Sequence, residues 1–177
     1  MKISIGSNEI VHFIGIGGIG MSGLAQIMNN LGFNIQGSDL NLNKNADRLI
    51  KNGIKIYLGH SKKHLKKTTM VVMSSAIKKN NEELVEAKRK KLPVFTRGEM
   101  LANIVALKKN IVISGSHGKT TTTSLIANIL VGAGLDPTVI NGGVINSLKS
   151  NAQLGKGEWA VIEADESDGS FLKLPIS

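Results

Sequence analysis

Cysteine is missing from this 177-residue chain. Its absence removes disulfides, thiolate nucleophiles and cysteine-ligated zinc from the available chemistry and fits a reducing compartment. No apolar run approaches the roughly 20 residues needed to cross a bilayer. The opening segment, MKISIGSNEIVHFIGIGG, has glycines through its apolar part and no small-residue cleavage site ahead of its first motif, so it does not read as a signal peptide. A cytoplasmic location is expected. Aromatics are scarce too, and a single Trp and a single Tyr leave little surface for stacking bases. This bears on the formal net charge of +9, which raises the question of nucleic acid. The basic residues group as Lys62, Lys63, Lys66, Lys67 and as Lys88, Arg89, Lys90, Lys91, beside surface-type helices, which is the pattern of a solvated face. Neither a nucleic-acid nor a membrane partner is expected, whereas an anionic small substrate would suit the charge.

What the chain does contain is an alternation of short apolar runs and helical periodicities. Ile10 to Ile14 leads into Gly15, after which Met21, Leu24, Ala25, Ile27, Met28 and Leu31 recur at helical spacing, ended by Gly32. A strand from Phe33 finishes at Gly37-Ser38-Asp39. Next come a helix near Ala46 to Lys51, strands at Ile54 to Leu58 and Met70 to Met73, a helix near Glu82 to Lys91, and a strand at Val94 to Phe95. This order predicts βαβ units and a parallel sheet. A helix-like segment, Glu99 to Lys108, precedes a second start. There Ile111 to Ile113 reads as a buried-type strand, followed by a helix from Lys119 to Val131 with Leu125, Ile126, Ile129 and Leu130 at core spacing. Strands follow at Thr138 to Ile140 and Trp159 to Ile162. The expected architecture is α/β, with a Rossmann-like parallel-sheet domain over 1–108 and the beginning of a phosphate-loop ATPase domain over 109–177.

Each unit opens with a glycine loop between a strand and a helix. Gly15, Gly17 and Gly20 satisfy G-x-G-x-x-G in the context where that pattern has physical meaning. The first glycine permits the turn, the second lets a diphosphate approach the backbone, and the third lets helix pack on strand. Asp39, about twenty residues on at the end of the second strand, is placed to accept from ribose hydroxyls. These features specify a diphosphate and a ribose, not a nicotinamide, and a nucleotide sugar fits as well as NAD.

The second loop, ISGSHGKTTTTS, lacks the first glycine of G-x-x-x-x-G-K-[ST], where Ile113 stands instead. Gly115 and Gly118 still let backbone N–H groups converge on an anion, Lys119 brings a compact charge for phosphates, and Thr120 offers a hydroxyl to Mg²⁺. We read the loop as a contracted phosphate cradle. Glu163, at the end of the strand from Trp159, is the expected second magnesium ligand, while Asp165, Glu166 and Asp168 carry no assigned role.

Taken in order, HFIGIGGIGMSGLA, GSD at Gly37, SSAI at Ser74, RGEML at Arg97, GSHGKTTTT at Gly115, GLDPT at Gly134, NGG at Asn141 and EADESD at Glu163 resemble the Mur ligases, and within them the alanine-adding member. The resemblance runs over nearly the whole chain. It implies an ATP-dependent amide ligase of peptidoglycan synthesis that activates the carboxylate of UDP-N-acetylmuramate as an acyl phosphate for attack by L-alanine. Carried across by motif, Gly15, Gly17, Gly18 and Gly20 would face the UDP diphosphate, Asp39 its ribose, and Ser74 and Ser75 the UDP-sugar. Gly115, Ser116, His117, Gly118, Lys119, Thr120 and Thr121 would hold ATP, with Thr120 and Glu163 on magnesium and Lys119, Thr120 and Glu163 as the catalytic set. His12 and His60 are candidates for the uridine side or for a structural role. Family members continue into a longer central domain, with a histidine magnesium ligand, and a C-terminal ligase domain. The chain stops before both, so UDP-sugar binding without ligation is expected of it. The competing expectations are a folylpolyglutamate-synthetase-like ligase, which needs no glycine-loop domain ahead of its phosphate loop, and a non-catalytic nucleotide-binding module.

Overall fold

The computed structural model describes residues 9–105, 108–145, 150–153, 155 and 157–163. Asp165, Glu166 and Asp168 therefore lie outside the described residues. By its internal contacts the chain parts between Arg97 and Gly98, whereas the sequence reading drew its boundary at 108. The helix Arg97–Val105 makes the difference.

The first unit is built on strand β1 (Ile10–Ile14), in which Val11, Phe13 and Ile14 are fully buried. Such a continuous apolar run belongs to a strand covered on both faces, and β1 is the central strand. Beside it run β2 (Asn34–Asp39) and then β3 (Lys55–Leu58) on one side, and β4 (Met70–Met73) and then β5 (Val94–Thr96) on the other, all parallel in the order β3-β2-β1-β4-β5. The order reverses at β1, and ligands of open α/β sheets gather at the carboxyl ends of the strands at such a reversal.

Helix α1 (Ile19–Asn30) follows β1 and buries Met21, Leu24, Ala25, Ile27 and Met28, the stripe its spacing predicts. It ends as expected at Gly32, whose φ of +90° is left-handed backbone that a side chain would disfavour. Helices α2 (Lys44–Lys51) and α3 (Glu82–Arg89) are each N-capped by an asparagine, Asn43 and Asn81, whose side-chain oxygens accept from two backbone N–H groups. A short 3₁₀ turn spans Lys62–Leu65. Lys62, Lys63, Lys66 and Lys67 are exposed on and beside it.

In the second unit, helix α4 (Arg97–Val105) precedes a sheet of order β6-β9-β7-β8, formed by β6 (Lys109–Ile113), β7 (Thr138–Ile145), β8 (Ser150–Gln153) and β9 (Trp159–Glu163). The pairings β6 with β9 and β9 with β7 are parallel, and β7 with β8 is antiparallel. Two readings of the sequence need correction here. Among the described residues β6 is an edge strand, so Ile111 and Val112 are only half-buried and Ile113 alone is buried. Helix α5 (Lys119–Gly132) buries Thr123 and Ala127, while Leu125 and Ile129 are 59% and 69% exposed. The small side chains turn fully inward, while Ile126 and Leu130 of the predicted stripe are half-buried.

Candidate functional site

The first glycine loop is anchored by the last two residues of β2. Gly15, with φ of +81°, turns the chain out of β1, and the N–H groups of Gly15 and Ile16 both donate to the carbonyl of Ser38 at 2.8 and 3.0 Å. Gly17 N–H donates to the Asp39 carboxylate at 2.8 Å, and the second oxygen of Asp39 accepts from Asn41 N–H at 3.2 Å. The Gly17 carbonyl accepts from the side-chain amides of Asn43 and Asn45 at 3.0 and 3.1 Å. Gly18 caps α1 without a side-chain hydrogen bond, and the first turn of that helix carries no acidic residue. The partial positive charge of such a helix start favours an anion. Ser74 stands against this loop, since a Cβ built on Gly15 would lie 3.1 Å from the Ser74 Cβ, and exposed Ser75 follows it.

The glycines divide their work differently from the motif's expectation. At Gly20 an added Cβ would lie 2.6 Å from Arg97 Nη1, so the third glycine makes room for the arginine. Close approach of loop and sheet falls instead to Gly37, where a Cβ would lie 2.8 Å from both the Ile16 Cβ and the Phe13 carbonyl oxygen. At Gly17 a Cβ would meet Asp39 at 3.0 Å and Asn43 at 3.2 Å, so the missing side chain lets those two residues close on the loop.

Sequence reasoning missed Asn43, Asn45 and Glu83. The signal for Asn43 was present as a capping residue ahead of a helical run. Glu83 gave none, because a glutamate in a helix's first turn normally faces water. Here it is fully buried and gathers three of the chain's four histidines. His64 Nδ1 lies 2.7 Å and His60 Nδ1 3.1 Å from its carboxylate oxygens, Ser38 Oγ donates at 2.5 Å, and Ser61 N–H donates at 3.3 Å. His12 Nε2 approaches to 3.4 Å without hydrogen-bond alignment. Burial pushes the Glu83 carboxyl up, but the approach of His12, first as a polar contact and then by its charge, and hydrogen bonds from Ser38 and His64 outweigh it and hold it at about 2. With a side chain entirely out of solvent, His12 belongs to this internal cluster and not to a ligand surface.

In the second unit the loop between β6 and α5 carries two glycines with positive φ, Gly115 at +143° and Gly118 at +76°, the latter capping α5 without a side-chain bond. The Lys119 ammonium folds back to donate to the Gly115 carbonyl. Register does the rest. Ile113, the last residue of β6, pairs with Glu163, the last of β9, so the carboxylate emerges beside the loop. The Thr120 hydroxyl is shared between the two Glu163 oxygens at 3.1 and 3.0 Å. Ser116, His117, Gly118, Lys119, Thr120, Thr121 and Glu163 line one open cavity of about 370 Å³. Gly115 is not among the lining residues and contributes its carbonyl to Lys119. An oxygen pair of hydroxyl and carboxylate beside backbone N–H groups and an ammonium has the donor chemistry for a magnesium-bound polyphosphate.

The Mur ligase family, catalytic domain, matches residues 10–109. UDP-N-acetylmuramate--L-alanine ligase of Pelagibacter ubique (strain HTCC1062) is 63% identical over 99% of this chain, which covers 38% of that protein. The enzyme of the same name from Brucella ovis is 54% identical, again over 99% of the chain and 36% of its own length. Among solved structures, the UDP-N-acetylmuramate-alanine ligase of Thermotoga maritima superposes with a TM-score of 0.85 at 32% identity, covering 94% of this chain and 39% of that one. The chain thus spans under two-fifths of the length of these relatives. The family match takes in the first glycine loop and the whole β3-β2-β1-β4-β5 sheet, and on that ground the chain belongs to the Mur ligase family.

Proposed function

We propose that this chain supplies the UDP-sugar-binding unit and the opening of the ATP-binding unit of a cytoplasmic ligase that joins L-alanine to UDP-N-acetylmuramate in peptidoglycan synthesis. The domain division read from the sequence, 1–108 and 109–177, is kept in this proposal. The observation that carries it is the meeting of Thr120 and Glu163 across a loop that also presents Lys119, in a chain whose first unit separately presents a diphosphate-type glycine loop. The names of the relatives supply the substrates.

In this reading the α1 N-terminus receives the UDP diphosphate, with Gly15, Gly17, Gly18 and Gly20 forming the turn, Asp39 holding the Gly17 N–H and meeting the ribose, and Ser74 and Ser75 beside the UDP-sugar. Gly115 to Thr121 receive ATP. A carboxylate repels nucleophiles and has no leaving group, and transfer of a phosphoryl group supplies one. Lys119 would leave the Gly115 carbonyl for the phosphates and offset the charge that develops as the phosphoryl moves. Thr120 and Glu163 would hold Mg²⁺, which offsets phosphate charge when bound. No helix among the described residues is long and apolar enough to cross a membrane.

Replacing Lys119 with Ala tests the assignment of two separate sites. ATP affinity should fall by an order of magnitude or more while UDP-N-acetylmuramate affinity stays within about twofold, both read by calorimetric titration. Equal loss at both sites would overturn it.

A further inference from the structure

Gly17 of the first loop is held on both sides of its backbone. Its N–H donates to the Asp39 carboxylate at 2.8 Å, and its carbonyl accepts from the side-chain amides of Asn43 at 3.0 Å and Asn45 at 3.1 Å. All three partners stand on one stretch, 39–45, from the end of β2 to the first turn of α2. The orientation of the Asn43 amide follows from its other bonds. Its oxygen accepts from the N–H groups of Asn45 and Ala46 at 3.0 and 3.1 Å, capping α2, so the nitrogen is the atom that meets the Gly17 carbonyl. One side chain therefore closes a helix and holds the glycine loop at once.

What this grip fixes is the peptide that joins Gly17 to Gly18. In a trans peptide the carbonyl and the following N–H point in opposite directions. With the Gly17 oxygen drawn to the asparagines, the Gly18 N–H is turned back into the loop, where it reaches the Gly15 carbonyl at 3.4 Å. Gly18 is the N-cap of α1 and has no side chain with which to fix itself. Two adjacent glycines are the least constrained backbone a chain can have, and ordering them carries the largest entropy loss. Capping of α2 accounts for the Asn43 oxygen alone. It accounts neither for the Asn43 nitrogen nor for Asn45, whose side chain leaves its own helix to reach the same carbonyl.

We propose that Asn43 and Asn45 are positioning residues for UDP-sugar binding: from the start of α2 they hold the Gly17–Gly18 peptide, and through it the entry of α1, in the conformation that meets the diphosphate. They act through the loop backbone and not by touching the ligand. A turn ordered in advance spares the ligand the cost of ordering two glycines when it binds. This inference rests on the diphosphate reading of the loop, and its test is chosen to separate the two.

Two variants of the whole chain split the loop contact from the helix cap. Asn43→Ser keeps a capping oxygen for α2 on a side chain too short to reach the Gly17 carbonyl as well. Asn45→Ala leaves the cap in place and favours the helix. UDP-N-acetylmuramate is titrated into each by calorimetry, and ¹⁵N relaxation reads the backbone order parameter of Gly18 in the free chain. Each variant should bind roughly three- to tenfold more weakly than the parent, the worth of one hydrogen bond, and the double variant more weakly still. The Gly18 order parameter should fall from about 0.85, typical of rigid backbone, toward about 0.6. The denaturant midpoint of Asn45→Ala should be no lower than the parent's. Binding within about twofold of the parent in the folded variants overturns the proposal. So does weaker binding with Gly18 still rigid, which would mean that the asparagines act on the ligand by another route. If Asn43→Ser does not fold, Asn45→Ala carries the test. Failure of UDP-N-acetylmuramate to bind the parent chain would overturn the diphosphate reading, while the Gly18 order parameter would still decide whether the asparagines hold the turn.

Discussion

At the scale of single residues, the glycines show how a motif can be right in outline and different in detail. Gly20 faces the side chain of Arg97, with Nη1 at 2.6 Å and Cδ at 2.9 Å from an added Cβ, and a long side chain adjusts more readily than backbone. Gly37 faces the Ile16 Cβ and a backbone carbonyl, neither of which gives way so readily. We expect Gly37→Ala to lose roughly 1–3 kcal/mol of stability, the usual cost of overpacking a tight contact. Gly20→Ala should stay within about 1 kcal/mol of the parent, because a helix gains from Ala what Arg97 loses in adjusting. Denaturant midpoints of the two variants read the difference, and equal losses would mean that Gly20 is the close-packing position after all. The family resemblance pointed to His12 and His60 without being able to say what they touch. That information resides in Glu83, some 70 and 20 residues along the chain, and only the sheet brings the three together.

At the scale of elements, the strands and helices of the first unit were legible because each is covered by its neighbours in sequence. The apolar run of β1, the 3.6-residue stripe of α1 and the glycine after it agree with one another, and the structure follows them to within a residue or two. The second unit was less legible. β8 is SNAQ, a polar strand held by antiparallel pairing to β7, and nothing in its own composition predicts it. Asn141-Gly142-Gly143 read as the end of β7, but the strand runs through them to Ile145 with a register irregularity, the place where glycine in a strand is commonly found. In α5 the large apolar residues suggested the buried face, but Thr123 and Ala127 occupy it, with Ile126 and Leu130 half-buried at its edge. Ala127→Leu should therefore destabilise the second unit by roughly 1–3 kcal/mol, whereas Leu125→Ala should change stability by no more than about 0.5 kcal/mol. Thermal melts of both variants check this. A large loss in Leu125→Ala together with a silent Ala127→Leu would show that the helix is rotated from the face described.

At the scale of the whole molecule, the two loops solve one problem by different means. In the proposed reading the first would meet an anion at the start of α1, with the N–H groups of Gly15, Ile16 and Gly17 held by Ser38 and Asp39 and no lysine in the turn. The second adds Lys119 and an oxygen pair, as a transferring phosphoryl group requires. Both loops could be read from the sequence, since glycine spacing between a strand and a helix is a local signal. A shared magnesium role for Thr120 and Glu163 was legible from the loop and from an acid at a strand's end, but their direct contact was not, because it depends on β9 lying in register beside β6. The central claim is that the first loop serves a UDP-sugar and not a dinucleotide. It is tested most directly by titrating UDP-N-acetylmuramate and NADH in parallel into the 177-residue chain and measuring the heat of binding. The account predicts saturable binding of the UDP-sugar, competed by UDP and left intact by Lys119→Ala, with no saturable binding of NADH. Saturable binding of NADH with none of UDP-N-acetylmuramate would contradict it.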